Sequence, residues 1–256
     1  SGTYNNGWPE TYIKGLLNAP NSGEFWVVTN ASSDIYTVNV SDGSIVSSVT
    51  TSAINIAQNP IIGFQGMAEH PITGEVYVLF KDNLGDKYIG SLNTSNGEII
   101  TVAPSESSYS SIAFDASGIL HAKIGAGSQE LVTVVLNTAP ETEFHTYTNT
   151  GGGDMNAIGF NTTDNLMYRF TANDANGDGE FVSLDLVTLQ ETVSSITSPS
   201  STGFDTYGGA LAYRQGQNKF LVGAGNTLYD LLADGSVSTI SSIPEFDDDD
   251  YYIKGL

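Results

Sequence analysis

Apolar and polar residues alternate in short runs along almost the whole chain, and glycine-containing turns punctuate the runs. Alternation with period two over roughly four to eight residues predicts half-buried β-strands. Glu24-Phe-Trp-Val-Val28, Glu75-Val-Tyr-Val-Leu-Phe80, Ile119-Leu-His-Ala-Lys123, Leu166-Met-Tyr-Arg-Phe170 and Lys219-Phe-Leu-Val222 are such runs. They are rich in Val, Ile, Tyr and Phe, which suit a pleated, half-buried surface. Turn text separates them, as in Ser41-Asp-Gly43, Thr73-Gly74, Ser95-Asn-Gly97, Ala116-Ser-Gly118 and Ala233-Asp-Gly235. No helical apolar period is sustained anywhere, so an all-β fold is expected.

The runs fall into a repeat. Five segments open with a small residue beside bulky ones: Tyr12-Ile-Lys-Gly-Leu16, Gly66-Met-Ala-Glu69, Ser111-Ile-Ala-Phe114, Ala157-Ile-Gly-Phe160 and Ala210-Leu-Ala-Tyr213. Aligning Gly15, Ala68, Ala113, Gly159 and Ala212 gives spacings of 53, 45, 46 and 53 residues. A second run follows each opening, then a third (Ile35 to Val40, Tyr88 to Asn93, Leu131 to Asn137, Phe181 to Leu186, Leu228 to Leu232). A fourth closes each unit (Ser44 to Val49, Glu98 to Val102, Glu143 to Tyr147, Glu191 to Ile196, Ser236 to Ile240). Four strands recurring every ~40–50 residues are the pattern of a propeller blade. The expectation is one domain over 1–256 with five blades, about 11–49, 63–103, 109–147, 155–196 and 207–241, followed by an acidic linker and a surplus strand over 242–256. A sandwich or a barrel is the competing architecture. The blade text, above all Gly66-Met-Ala-Glu-His-Pro-Ile-Thr-Gly-Glu-Val-Tyr-Val78, resembles the NHL- and YVTN-type propeller repeats of surface and secreted proteins.

The ends carry a duplication. Tyr12, Ile13, Lys14, Gly15 and Leu16 recur as Tyr252, Ile253, Lys254, Gly255 and Leu256. A ring of five blades needs only five opening strands, so one copy is surplus. It could begin the next propeller of a tandem array. It could close the ring beside blade 1 while the N-terminal copy lies elsewhere. Or it could be donated to a neighbouring molecule, because an unpaired strand edge is a template for another chain and head-to-tail donation builds a filament.

Composition narrows the function. Eight Lys and Arg against 29 Asp and Glu leave a formal charge of −21. That charge disfavours nucleic acid and anionic membrane surfaces as partners. The absence of Cys excludes thiol catalysis, disulfides and thiolate metal sites. No apolar run is long enough for a transmembrane helix. No basic, apolar leader opens these residues, so a leader is expected to be absent or already removed. Acidity with abundant Ser, Thr, Asn and Gly suggests an extracellular or cell-surface protein, with a prokaryotic host favoured by the lack of Cys.

The strongest local motif is Asp174-Ala-Asn176-Gly-Asp178-Gly-Glu180, the start of a calcium loop. Side chains at alternate positions of a tight loop converge on one point, and Ca²⁺ takes six to eight oxygens. Glu180 would offer its carbonyl and Asp185, at loop position twelve, a carboxylate. Asp82-Asn-Leu-Gly-Asp-Lys87 in blade 2 aligns with this loop, but Leu84 and Lys87 replace Asn176 and Gly179, so no ion is expected there. Asp247-Asp-Asp-Asp250 reads as a solvated linker, with a counterion as the alternative.

Catalysis is not the favoured reading. The opening strands supply Lys14, Glu69, His70, Asp115 and Arg214, of which Glu69 and Asp115 are a conceivable glycosidase pair. His121 and His145 fall inside strands, and no nucleophile elbow or phosphate-binding loop stands in context. The expected function is a non-catalytic structural or adhesive module acting by repetition or self-assembly, with Ca²⁺ stiffening a loop. Its partners would be itself or tandem sister domains. A glycan-binding propeller is the alternative, since 13 Tyr, 11 Phe and 2 Trp, including Trp8 and Trp26, supply aromatic faces. A carbohydrate-active enzyme comes third. Sequons stand at Asn30, Asn39, Asn93 and Asn161.

Overall fold

In the computed structural model the chain is all-β, a propeller of five blades. The structure describes residues 12–54, 60–105, 108–125, 128–136, 141–148, 156–171, 180–196, 209–214, 217–224 and 227–244. Blade 1 is β1 (Ile13–Asn18), β2 (Glu24–Thr29), β3 (Asp34–Asn39) and β4 (Ile45–Thr50), each strand paired antiparallel with the next. A short strand, β5 (Ser52–Ile54), then crosses to blade 2. Blade 2 is β6 (Ile61–Glu69), β7 (Val76–Asp82), β8 (Lys87–Leu92) and β9 (Glu98–Pro104), and β5 lies parallel along the outer edge of β9. This fifth strand was not legible in the sequence, because Ser-Ala-Ile is too short to show an alternation.

Blade 3 is β10 (Tyr109–Phe114), β11 (Leu120–Ile124), β12 (Glu130–Val134) and β13 (Glu141–Thr146). Blade 4 is β14 (Asn156–Asn161), β15 (Leu166–Thr171), β16 (Glu180–Asp185) and β17 (Glu191–Ser195). Blade 5 is β18 (Gly209–Arg214), β19 (Lys219–Ala224), β20 (Thr227–Leu231) and β21 (Val237–Ser242).

The innermost strands form the ring: β1 contacts β6, then β10, β14 and β18 follow, and β18 returns to β1. The apolar core is divided accordingly into five clusters, one between each pair of neighbouring blades. Phe64, Val78 and Phe80 face Val28 and Ile35 between blades 1 and 2, for example. Among the described residues no sheet mixes strands from the two ends of the chain. The ring closes by packing instead. Ile13, Leu16 and Phe25 of blade 1 bury against Ala210, Leu221 and Leu228 of blade 5, and Ser241 Oγ donates to the Val40 carbonyl at 2.8 Å.

Counting back from the inner turns corrects the sequence alignment. The last backbone pairs before those turns are Ala19 with Glu24, His70 with Glu75, Asp115 with Ile119, Asn161 with Leu166 and Arg214 with Lys219. Leu17, not Gly15, is therefore equivalent to Ala68, Ala113, Gly159 and Ala212. Gly15 instead matches Gly66, Ser111, Ala157 and Ala210. A slip of two residues keeps every side chain on its face, so alternation alone could not detect it. With this register the spacings from Gly15 onward are 51, 45, 46 and 53 residues, and Gly255 follows Ala210 by 45.

The matched positions are small because the inner strands meet there. A Cβ on Gly15 would stand 2.7 Å from Val28 Cγ2 and 2.9 Å from the Met67 backbone nitrogen. On Gly66 it would stand 3.2 Å from the Ile112 nitrogen. At the Ser111 position the hydroxyl accepts a hydrogen bond from Ile158 N–H at 3.1 Å, tying blade 3 to blade 4. Gly15→Ala should destabilise the fold by about 1–3 kcal/mol, the usual range for overpacking a rigid contact. Urea denaturation checks it; an unchanged midpoint would mean that the inner strands can separate freely.

Candidate functional site

Three places carry the residues singled out in the sequence. The first is the inner slot of blade 1. Tyr12 leads into β1, and its N–H donates to Asn30 Oδ1 at 2.6 Å while Asn30 N–H donates to the Tyr12 carbonyl at 3.2 Å. Ile13 and Leu16 are buried, and Lys14 is half-buried between Ile13 and Gly15. Ile13 fits against Gly223 of blade 5, where an added Cβ would stand 2.5 Å from Ile13 Cγ2, while Gly15 fits against Met67 of blade 2. The pentamer is thus keyed on both sides. The alternative in which the N-terminal copy lies outside the ring is overturned, since it forms the inner strand of blade 1. Tyr252, Ile253, Lys254, Gly255 and Leu256 lie outside the described residues, as does Asp247-Asp-Asp-Asp250.

The second place is the hairpin loop between β15 and β16. Thr171 pairs with Glu180 at its base. Asp174, Asn176 and Asp178 lie in that loop, outside the described residues. The structure does not bring Asp185 to it. Asp185 ends β16, paired with Leu166, five residues beyond Glu180 and therefore roughly 16 Å away along the strand. Its Oδ1 accepts from the N–H groups of Val187 at 2.8 Å and Thr188 at 3.1 Å, so the carboxylate shapes the next turn. Those bonds hold its carboxyl below the usual carboxylate range. An exiting helix would bring loop position twelve back to the ion; an extended strand carries it away. In the aligned blade 2 loop, buried Asp82 closes its own turn, accepting from Leu84 and Asp86 N–H at 2.9 Å each. Lys87 donates to Ser108 Oγ at 2.7 Å.

Beside the blade 4 loop lies a buried cationic pair that the sequence did not flag. Lys123 and Arg169 are both fully buried between blades 3 and 4. Lys123 Nζ donates to the Ile124 carbonyl at 2.7 Å and to the Ser128 carbonyl. Arg169 donates to Gln129 Oε1, lies 3.8 Å from Glu180 Oε2 and stacks over the Tyr147 ring with its guanidinium carbon 4.3 Å from the centroid. Glu180 thus points its carboxylate to Arg169. Burial, with Arg169 nearby, lowers Lys123 to about 7, and Glu130 opposes the shift.

The third place is the mouth of the central channel. A cavity of about 260 Å³ is walled by equivalent inner-strand positions of all five blades. Its rim is Asn18, Glu69, Phe114, Phe160 and Tyr213. The polar members are adjacent, on blades 1 and 2, and the aromatic ones form the opposite arc. Asn18 and Glu69 also border a second cavity of about 440 Å³ between blades 1 and 2, with Trp26 in its wall. Burial raises the Glu69 carboxyl above its ordinary range.

The remaining enzyme candidates are occupied elsewhere. Asp115 Oδ1 accepts from Ser117 N–H, Ser117 Oγ and Ile119 N–H, and its Oδ2 lies 3.2 Å from His121 Nε2. Burial works against that carboxylate, but these bonds outweigh it and hold it below the usual range. Asp115 lines neither cavity, whereas Glu69 lines both. His70 Nδ1 accepts from Ile72 and Thr73 N–H and its ring packs on Phe114. His145 pairs with Glu191 at 2.7 Å, linking blades 3 and 4. Arg214 and Lys219 share Asp230.

Solved structures share this architecture. The allergen Mala s 1 of Malassezia sympodialis is 12% identical over 93% of this chain and 84% of its own, with a TM-score of 0.54. A protein of unknown function from Bacteroides thetaiotaomicron is 14% identical over 90% of this chain, which spans 64% of that one, with a TM-score of 0.50. Likeness at such identities establishes the propeller fold alone. No protein-family model matches the chain, and no curated protein sequence does.

Lys123 makes the fold pH-dependent. Its folded value, about 7, lies below the ordinary 10.5, so the folded state holds fewer protons between those limits. The cost of burying the ammonium is full below pH 7 and is relieved as pH rises toward 10.5. The stability of the wild-type protein relative to Lys123→Met should therefore rise across that window. Parallel denaturation curves for the two proteins at pH 6 and pH 9 would refute this; the pH values bracket the folded value of about 7.

Proposed function

We propose that the chain is a non-catalytic, extracellular or cell-surface module of the NHL/YVTN propeller type that acts by repetition. The observation that carries this reading is the inner slot of blade 1. Tyr12–Leu16 fills it, keyed to Gly223 on one side and Met67 on the other, and the same pentamer recurs at 252–256, one blade period past Ala210. A closed ring of five has one such slot. The second copy therefore serves another ring, either the next propeller of a tandem array or a neighbouring molecule that receives it as a donated strand. Backbone pairing gives a donated strand its affinity, and Ile253 and Gly255 give it the blade 1 key. At a charge of −21 subunits repel one another, so association draws on strand pairing and on bound cations.

Calcium at Asp174, Asn176 and Asp178 belongs to the same reading. The ion would be held by the loop side chains and a Glu180 carbonyl, without Asp185, at the millimolar levels of extracellular fluid. It would bring together carboxylates that otherwise repel.

Negative-stain microscopy of the chain and of a variant lacking residues 251–256 tests the assembly. Filaments that vanish on truncation establish strand donation. Compact monomers from both proteins at all concentrations would refute self-assembly and leave the tandem form, which a two-propeller chain would then have to show as a rigid rod.

The calcium site has its own test. A site about 90% saturated contributes roughly 1.4 kcal/mol, or about 3 °C in a domain of this size. Chelator should lower the melting temperature by about that much, and Asp178→Ala should abolish the difference. Superimposable melting curves with calcium and with chelator would remove the ion from the account.

A further inference from the structure

The groove between blades 1 and 2 has features that the repeat does not require. It lies on the face that carries the inner turns, walled by Asn18 and Trp26 of blade 1 and by Glu69, Glu75, Ser91 and Asn93 of blade 2. Its volume, about 440 Å³, falls within the ~300–1,000 Å³ typical of small-molecule sites. It meets the channel mouth at Asn18 and Glu69.

The hydrogen-bonding groups there are partly spent within the protein, and what remains is mixed in kind. Asn18 Nδ2 donates to the Tyr213 carbonyl at 3.1 Å, which leaves its Oδ1 as an acceptor. Asn93 Oδ1 accepts from Ser95 N–H and Oγ, which leaves its Nδ2 as a donor. Glu75 Oε2 accepts from Thr73 Oγ1 and Tyr77 OH at 3.2 Å each, which leaves its other oxygen. Glu69 pairs with Val76 through its backbone, and its carboxylate makes no hydrogen bond or ion pair with another described residue. Trp26 is half-buried, packed against the blade 1–2 core and lining the groove.

We propose that this groove binds a neutral, hydroxyl-rich saccharide, with Trp26 under the ring's C–H face and Glu69, Asn18 and Asn93 on adjacent hydroxyls. A hydroxyl both donates and accepts, so vicinal hydroxyls match a wall that offers carboxylate and amide acceptors beside an amide donor. An organic cation would use the acceptors alone and leave the Asn93 amide unmet. Acidic sugars are refused by Glu69 and Glu75 and by the charge of −21. This site is independent of the strand duplication, so its failure would leave the assembly reading untouched.

Trp26 is its own reporter once Trp8, the other tryptophan, is replaced. The protein is made as Trp8→Phe in a host that does not glycosylate Asn93, whose sequon stands in the groove wall. It is titrated with glucose, galactose, mannose, N-acetylglucosamine and lactose, and separately with glucuronate. Saturable change in Trp26 emission is expected for at least one neutral sugar and none for glucuronate. Glu69→Gln should weaken the binding about tenfold, the loss of one charge-assisted hydrogen bond, at an unchanged melting temperature. Asp234→Asn, in a blade 5 turn, should leave it unchanged. No response to any of the neutral sugars, equal binding of glucuronate, or undiminished binding by Glu69→Gln would each overturn the proposal.

Discussion

The structure rests on how closely the five inner strands approach one another. At the ring formed by Gly15, Gly66, Ser111, Ala157 and Ala210, one strand's backbone comes within Cβ distance of the next blade. Only small side chains fit there, and bulky neighbours such as Ile13, Met67 and Leu211 must then enter the wedges between blades. The five separate cores, the channel and the outward flare of each sheet follow from that one narrow ring. It also explains why the pentamer at blade 1 is specific. A strand that fills this slot needs a glycine at Met67 and a branched side chain at Gly223, and few pentamers supply both.

Antiparallel meanders send successive connections to opposite faces, and this sorts the chemistry. The inner turns put Asn18, Glu69 and the groove on one face. The base of the hairpin between β15 and β16, where Thr171 pairs with Glu180, belongs to the other, and the Glu180 carboxylate lies 3.8 Å from Arg169. Two buried cations in so acidic a chain, Lys123 and Arg169, are notable for their partners. Carbonyls of Ile124 and Ser128, the Gln129 amide, the Tyr147 ring and the Glu180 carboxylate surround them, so their burial is compensated mostly by dipoles and a π-face. Arg169 ties blade 4 to blade 3 through Gln129 and the Tyr147 ring, while Lys123 bonds to carbonyls within blade 3.

Several sequence features reached the right element with the wrong partner. Aligning Gly15 with Ala68 found the inner strand of blade 1 but slipped by two residues, because alternation has no memory beyond its own period. Counting Asp185 as a loop ligand carried a helix-based spacing onto β16, whose extended backbone sets Asp185 five residues beyond Glu180. Pairing Glu69 with Asp115 joined positions that are not equivalent: Glu69 matches Phe114, and Asp115 matches His70. The turn after β10 instead absorbs Asp115, through Ser117 and Ile119, whereas Glu69 stands at the mouth. The Lys123–Arg169 pair left no trace in the sequence beyond two cations inside apolar strands.

Strand content, blade number, turn positions and the terminal duplication were decided by the sequence itself, since each depends on residues close together in the chain. Alternation sets which face is buried, and glycine with Asp or Asn sets where the chain reverses. Which residues meet across blades was decided only by the tertiary structure. Closing the ring brings Ile13 to Gly223, Gly15 to Met67 and Asn18 to Glu69, over separations of up to about 210 residues. No local pattern encodes such contacts, because they depend on the radial packing of whole sheets and on a register that every blade must share.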